Sequence, residues 1–262
     1  MVRLIASDMD GTLLNSLKKL HPDFKKVIKE LSSRGVYFAC ASGRNHERLK
    51  KIFKGIEEDI IYISDNGNYI KFKDKVIVKN IIKKDVLEKL TSELRSLKGC
   101  GVSYSTHKAM YTESKYVHRA SRLINFKNTF ISNVNNIEDD VIKCSIICLP
   151  SNQDKISKYL ANKFPELYVA KSGKCTIDIN SGCTNKGVAI KRIQEMFDIK
   201  YEETMVFGDY LNDYEMMDSA YYSYAMENAH EKLKEKARFI APKNTKNGVL
   251  RVIQDIVLDN KK

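Results

Sequence analysis

The chain has 262 residues, 43% hydrophobic and 30% charged, with a formal net charge of +12 and a mean hydropathy of -0.40. That length suits one large domain or two modest ones, and 14 Tyr with 10 Phe exclude wholesale disorder. No stretch approaches the roughly 20 apolar residues of a bilayer span, and the apolar run 4–6 meets Asp8 and Asp10 too early for a secretory leader, so a soluble, cytoplasmic protein is expected.

Residues 2–7 read as a buried strand, and 22–34 carry Phe24, Val27, Ile28 and Leu31 at helical spacing, stopped by Gly35. Another apolar run at 36–41, a helix at 45–53 and a strand at 60–64 continue the alternation, which predicts βαβ units and a parallel sheet. Past residue 80 the rhythm changes. A helix at 85–97 precedes short strands at 101–105 and 110–112, then a polar stretch at 125–140. A strand at 141–149, a helix at 153–164 and strands at 167–171 and 175–180 follow, the last two joined by the hairpin signal Ser172-Gly173. From Asn185 the first rhythm returns: helix 186–197, strand 204–207, helix 213–218, strand 221–225, helix 231–237. The expected fold is α/β, a doubly wound Rossmann-like parallel-sheet core of residues 1–82 and 184–262 with an inserted α+β module, 83–183.

The positive charge raises nucleic acid as a partner, but the 45 basic residues are 35 Lys and only 10 Arg. Arg carries the planar fork that reads bases and phosphates, whereas Lys is a hydrated point charge. Lysines spread as Lys18-Lys19, Lys25-Lys26, Lys50-Lys51, Lys83-Lys84 and Lys261-Lys262 predict a solvated surface whose field draws in small anions. No nucleic-acid, membrane or obligate protein partner is expected. Cys40, Cys100, Cys144, Cys148, Cys175 and Cys183 show no C-x-x-C spacing and read as reduced thiols, mostly buried.

The chemistry concentrates where strands end. Strand residues 4–7 run straight into Asp8-Met9-Asp10-Gly11-Thr12, and ligands of open parallel sheets bind beyond the carboxyl ends of strands. An EF-hand also opens Asp-x-Asp, but its sixth and twelfth positions hold Leu13 and Lys19 here instead of Gly and Glu. Ser42-Gly43-Arg44 closes the second strand beside a helix N-terminus, Lys186 opens a helix after Asn185, and Asp209 with Asp213 follows the strand at 204–207. Carboxylates, a hydroxyl and cations gathered at strand ends suit a hard divalent cation and a phosphate.

These residues resemble the haloacid dehalogenase superfamily, specifically its Cof-like phosphatase branch. Four motifs match in order: Asp8-Met9-Asp10-Gly11-Thr12, Ala41-Ser42-Gly43-Arg44, Lys186, and Gly208-Asp209-x-x-Asn212-Asp213. Asn66-Gly67, 225–229 and Asn247-Gly248-Val249 match the branch as well, with Glu227 standing where the branch usually has glycine. The resemblance covers residues 1–82 and 184–262, and the middle third only by position and pattern.

It implies a phosphotransferase fold with an aspartyl-phosphate intermediate. Asp8 would be the nucleophile, and Asp10 the general acid and then base, with a raised pKa. Mg²⁺ would be held by Asp8, the Asp10 backbone carbonyl and Asp209, with Asp213 in or near the shell. Ser42 would bond the phosphoryl oxygens, Lys186 would pair with Asp8 and the phosphate, and Thr12, Gly43, Arg44, Asn66 and Asn212 would lie on the substrate side. The expected activity is Mg²⁺-dependent hydrolysis of small cytosolic phosphomonoesters, sugar phosphates foremost. The alternatives are a phosphomutase of the same fold and a non-catalytic basic nucleic-acid-binding protein. The inserted module would be a cap that selects the leaving group, with candidates in His107, Arg119, Arg122, Lys143, Asp178 and, through oxidation, Cys183.

Overall fold

The computed structural model describes residues 1–123, 128–172, 175–182 and 184–259. The chain runs β1 (Leu4–Asp8), α1 (Phe24–Ser33), β2 (Tyr37–Ala41), α2 (His46–Ile52), β3 (Ile60–Ser64), β4 (Tyr69–Phe72) and β5 (Lys75–Lys79). It continues as α3 (Lys84–Ser96), β6 (Gly101–Ser105), β7 (Met110–Thr112), α4 (Lys115–Leu123), β8 (Thr129–Phe130), β9 (Lys143–Ile147), α5 (Pro150–Lys163), β10 (Tyr168–Lys171) and β11 (Thr176–Asn180). It ends with α6 (Lys186–Phe197), β12 (Thr204–Gly208), β13 (Tyr222–Met226), α7 (Glu231–Lys236), β14 (Phe239–Ala241) and α8 (Gly248–Ile253). Two compact units result: Met1–Val78 with Thr184–Lys262, and Lys79–Cys183.

The first unit holds an eight-stranded sheet in the order β14-β13-β12-β1-β2-β3-β4-β5. Strands β1, β3 and β12 are buried at every residue, and β2 at all but its first. That is why they read as unbroken apolar runs: a parallel sheet covered on both faces offers no solvated side. Helix α1 seats Phe24, Val27, Ile28 and Leu31 in this core, with Phe24 edge-on to Phe38 at 5.4 Å. The helix ends before Gly35, whose φ of +74° lets the chain turn into β2. Parallel pairing of β1 with both β2 and β12 brings Asp8 level with Ala41 and Ser7 level with Phe207. The chain leaves β1 toward β2 on one side and returns as β12 on the other. The crevice at this switch point is where an α/β sheet takes its ligand.

Three features depart from the sequence reading. Strands β4 and β5 form a hairpin on the sheet edge, turning at Lys73 (φ +51°), and β14 with α8 completes the C-terminal end. The helix expected at 213–218 is instead two 3₁₀ turns, Leu211–Asp213 and Met217–Ser219. There the backbone bonds close at i to i+3, as in Tyr214 to Leu211 and Met216 to Asp213, because Asp213 turns inward. Residues 79–82, read as core, cluster with the second unit.

The second unit carries a six-stranded sheet, β10-β11-β9-β6-β7-β8. One face, with Tyr104, Cys144, Ile146 and Ile177, packs with Leu90 of α3 and Leu160 of α5. On the opposite face β6, β9 and β11 bury six polar residues, Ser103, Ser105, Lys143, Ser145, Asp178 and Asn180, while Ile147 at the end of β9 is exposed. Lys143 and Asp178 form an ion pair at 3.4 Å, and the Ser145 hydroxyl donates to Asp178 at 2.6 Å. Arg119 is exposed on α4, and His107 is half-buried between β6 and β7. The side chain of Arg122, the Ser172-Gly173 turn at its second residue, and Cys183 lie outside the described residues. Cys40, Cys144 and Cys148 are buried free thiols, Cys100 is half-buried and Cys175 exposed. Among the described residues no helix is long and apolar enough to cross a membrane.

Candidate active site

Asp8 is the last residue of β1, and Asp209 follows directly on β12, so the sheet register alone places their backbones side by side. Between Asp8 and α1 the chain must turn tightly under Asp209. Gly11 adopts φ +92°, and a Cβ there would lie 2.2 Å from Asp209 Oδ2, so only glycine allows this approach. Thr12 Oγ1 donates to Asp209 Oδ1 at 3.0 Å. The loop is braced from the C-terminal end, where Asn228 Nδ2 donates to the Gly11 carbonyl and Asn244 Nδ2 to that of Leu14, both at 2.8 Å.

Lys186 is the first residue of α6, set by the Asn185 cap whose Oδ1 accepts the Val188 N–H at 2.9 Å. Its side chain is 1% exposed, and Nζ donates to Asp8 Oδ1 at 2.5 Å and to Asp213 Oδ1 at 2.6 Å. The other Asp213 oxygen accepts the N–H groups of Asp209 (2.9 Å) and Tyr210 (3.1 Å). Asp213 therefore locks the Asp209 loop to Lys186, which is the reason its turn is 3₁₀ and not α-helical.

Burial pushes the Asp8 carboxyl up, Lys186 opposes it, and the charges of Asp213 and Asp209 add to the rise, giving a pKa of about 8. Burial and the Asp213 charge raise Asp209 to about 6. Burial works against the Lys186 ammonium, but Asp213 and Asp8 prevail and hold its pKa above the ordinary value. Asp8, Asp209 and Asp213 each offer a carboxylate oxygen within 4.8 Å of the others. With one ammonium among three carboxylates, the fully ionised cluster carries net negative charge in a partly desolvated crevice. An all-oxygen donor set of that charge fits a hard divalent cation.

Asp10 departs from expectation. Its carboxylate is held by two cations and is not among the three grouped acids: Arg44 Nη2 and Nε donate to its two oxygens at 2.6 and 2.9 Å, and Lys18 Nζ lies 2.8 Å from Oδ1. Burial works to raise its pKa, but Arg44 and Lys18 outweigh burial and hold it below the ordinary carboxylate value. The raised pKa expected from the sequence is thus corrected. Arg44, expected on the substrate side, is engaged by Asp10, and Thr12, expected there too, is buried and spends its hydroxyl on Asp209. Ser42 is buried just past β2, its Oγ accepting the Arg44 N–H at 3.2 Å. The Asn66 N–H donates to the Ser42 carbonyl, and that of Asp65 to the Arg44 carbonyl, both at 2.9 Å, interlocking the two loops. Asn66 holds φ +58°, and its Oδ1 is buried with no hydrogen-bond partner among the described residues; it lies 3.3 Å from where a Cβ on Gly43 would sit. Asn212 is exposed. Lys18 was read only as surface charge; its pairing with Asp10 had no local signal in the sequence, nor had the brace from Asn228 and Asn244.

A family model described as haloacid dehalogenase-like hydrolase matches residues 5–253. The chain is 26% identical, over 98% of its length and 96% of the relative's, to the 5-amino-6-(5-phospho-D-ribitylamino)uracil phosphatase YbjI of Escherichia coli (strain K12). It is 27% identical, with the same coverage, to the phosphatase of the same description, YcsE, of Bacillus subtilis (strain 168). Among solved structures, SMU.1108c from Streptococcus mutans UA159 superposes with a TM-score of 0.88 at 26% identity, covering 98% of this chain and all (100%) of that one. The strand-end acids at the sheet's switch point and a family match spanning nearly the whole chain lead to one assignment: the protein belongs to the haloacid dehalogenase-like hydrolases and is a phosphatase of that family.

Proposed function

We propose that the protein hydrolyses phosphomonoesters of small metabolites, sugar and polyol phosphates foremost, through an aspartyl-phosphate on Asp8. The observation that carries this reading is the Asp8 carboxylate at the mouth of the switch-point crevice, held by buried Lys186 beside Asp209. Asp8 Oδ attacks phosphorus as the bond to the leaving oxygen breaks. Lys186 limits the repulsion between carboxylate and phosphate, and the Ser42 hydroxyl donates to a phosphoryl oxygen. Asp10 hands a proton to the leaving oxygen, then takes one from the water that cleaves the acyl-phosphate and frees Asp8 and inorganic phosphate. Because Arg44 and Lys18 hold Asp10 ionised at rest, the first of these protons arrives with the substrate, whose phosphate has a second pKa of about 6.

Asp8, Asp209 and the Asp10 carbonyl would hold Mg²⁺, with Asp213 anchoring behind them. When bound, the ion supplies neutralisation of the charge on the transferring group. The unit Lys79–Cys183 serves as the cap that selects the leaving group, a reading supported by its place as a separate unit inserted between the two halves of the core chain. A ribityl phosphate, as in the printed names of the two relatives, is a polyol phosphate and belongs in the test. That test is phosphate release with Mg²⁺ across sugar, polyol and nucleoside phosphates. Faster release from sugar and polyol phosphates than from nucleoside phosphates supports the reading, and release from none of the panel refutes it.

A further inference from the structure

Lys18 is a surface lysine paired with Asp10, a candidate catalytic residue. It sits in the left-handed region (φ +58°), where a straight-chain residue is strained. The loop holds it there: Asn15 Oδ1 accepts the N–H groups of Leu17 (2.9 Å) and Lys19 (3.1 Å), and the Lys18 N–H donates to the Asn15 carbonyl at 2.9 Å. The root of the side chain is thereby fixed, and its ammonium reaches Asp10 Oδ1 at 2.8 Å.

The two cations on Asp10 are not equivalent. Arg44 makes two parallel hydrogen bonds with a side chain 20% exposed, whereas Lys18 makes one contact with a side chain 60% exposed. A bidentate, shielded pair persists; an exposed single contact is among the weakest ion pairs and exchanges partners readily. In the proposed reaction the leaving oxygen bonds to Asp10 at about 2.6–3.2 Å. A leaving oxygen on Oδ1 then lies at most about 6 Å from the Lys18 ammonium, by adding that reach to the ion-pair distance of 2.8 Å. The first one or two carbons of the leaving group fall within the ammonium's range.

We propose that Lys18 is a specificity-determining residue, which exchanges Asp10 for an anionic group on the leaving group. It favours phosphomonoesters carrying a carboxylate one or two carbons from the ester oxygen. This inference rests on the phosphatase reading of the same site.

The test compares two probes of matching skeleton, 2-phosphoglycolate and ethyl phosphate, which differ in a carboxylate for a methyl group. Wild type, Lys18→Met and Lys18→Arg are assayed with Mg²⁺; both replacements are straight-chain and carry the same backbone strain. In Lys18→Met the ratio of kcat/KM for phosphoglycolate over ethyl phosphate falls about fivefold, the loss lying in KM, the size expected of an exposed charge contact. Lys18→Arg keeps the ratio. In wild type alone, added NaCl lowers the same ratio, because an exposed pair is screened. An unchanged ratio in Lys18→Met, or equal loss on both probes, overturns the proposal and leaves Lys18 acting only through Asp10. If wild type releases phosphate from neither probe nor from the wider panel, it is the hydrolase reading that fails.

Discussion

Replacing Lys186 by Met removes an ammonium that bonds both Asp8 and Asp213, while keeping an unbranched side chain in a site where Lys186 is 1% exposed. Breaking a buried ion pair from one side costs about 3–5 kcal/mol, because the remaining charge stays buried and unpaired. Asp8 avoids much of that cost, because below its pKa of about 8 it already holds a proton. Asp213 loses its ammonium partner while its other oxygen still accepts both N–H groups of the Asp209 loop. The lower end, about 3 kcal/mol, is therefore expected, and for a chain of this size it lowers Tm by about 6–12 °C. Because Asp213 and Asp8 raise the Lys186 pKa above its ordinary value, the pair's contribution is fully present through the neutral range. It is lost only as pH climbs past the raised, folded-state pKa. Thermal unfolding in chelator at neutral pH measures the effect, and added Mg²⁺ recovers part of it by taking over the compensation. A Tm change under about 2 °C, corresponding to under about 1 kcal/mol, would refute the claim that Lys186 balances the acidic cluster.

Mg²⁺ binding must release the proton that Asp8 holds below its pKa of about 8, and below about 6 that of Asp209 too. Its Kd, followed by calorimetry, should rise about tenfold per pH unit below the first value and more steeply below the second; a flat Kd across that window contradicts the pKa assignment. The same raised pKa means that the metal-free fold binds more protons than the unfolded chain between the ordinary value of 3.8 and about 8. This contribution to stability therefore falls as pH rises through that window, and the Tm gain from Mg²⁺ should grow with pH. Gly11→Ala places a methyl 2.2 Å from Asp209 Oδ2 at φ +92°; it should cost about 1–2 kcal/mol of strain and weaken Mg²⁺ binding. An unaltered Kd would show that Asp209 is not a ligand. Arg44→Lys keeps the charge but loses the fork on Asp10, and kcat should fall while Mg²⁺ affinity holds.

The central strands were legible because a parallel sheet hides both faces, so β1, β2, β3 and β12 appear as apolar runs whose ends locate Asp8, Ser42 and Asp209. Helices α1 and α6 were legible from their apolar spacing and, for α6, from its Asn185 cap. The β4–β5 hairpin was not, since on an edge Lys71, Lys73, Lys75 and Lys79 interrupt any apolar pattern. The helix expected at 213–218 gave way to 3₁₀ turns where the Asp209 and Tyr210 N–H groups donate to the Asp213 carboxylate, and the helix–strand rhythm carries no record of these bonds. The state of Asp10 was misjudged for a related reason. Desolvation could be inferred from its place after a strand, but the cations that reverse the outcome come from a loop lysine in a left-handed conformation and from the end of another strand. Contacts such as Thr12 to Asp209, 197 residues apart, exist only once the sheet has formed. Lys143 and Asp178, each weak alone, became a buried pair only through the β9–β11 register.

The account turns on Asp8 as the group that carries the phosphoryl. Acid-quenched protein taken during turnover with Mg²⁺ and mapped by peptide mass spectrometry tests this directly. Covalent phosphate on the peptide holding Asp8 in wild type, with neither covalent phosphate nor phosphate release in Asp8→Asn, is the predicted result. Undiminished phosphate release by Asp8→Asn would contradict the mechanism.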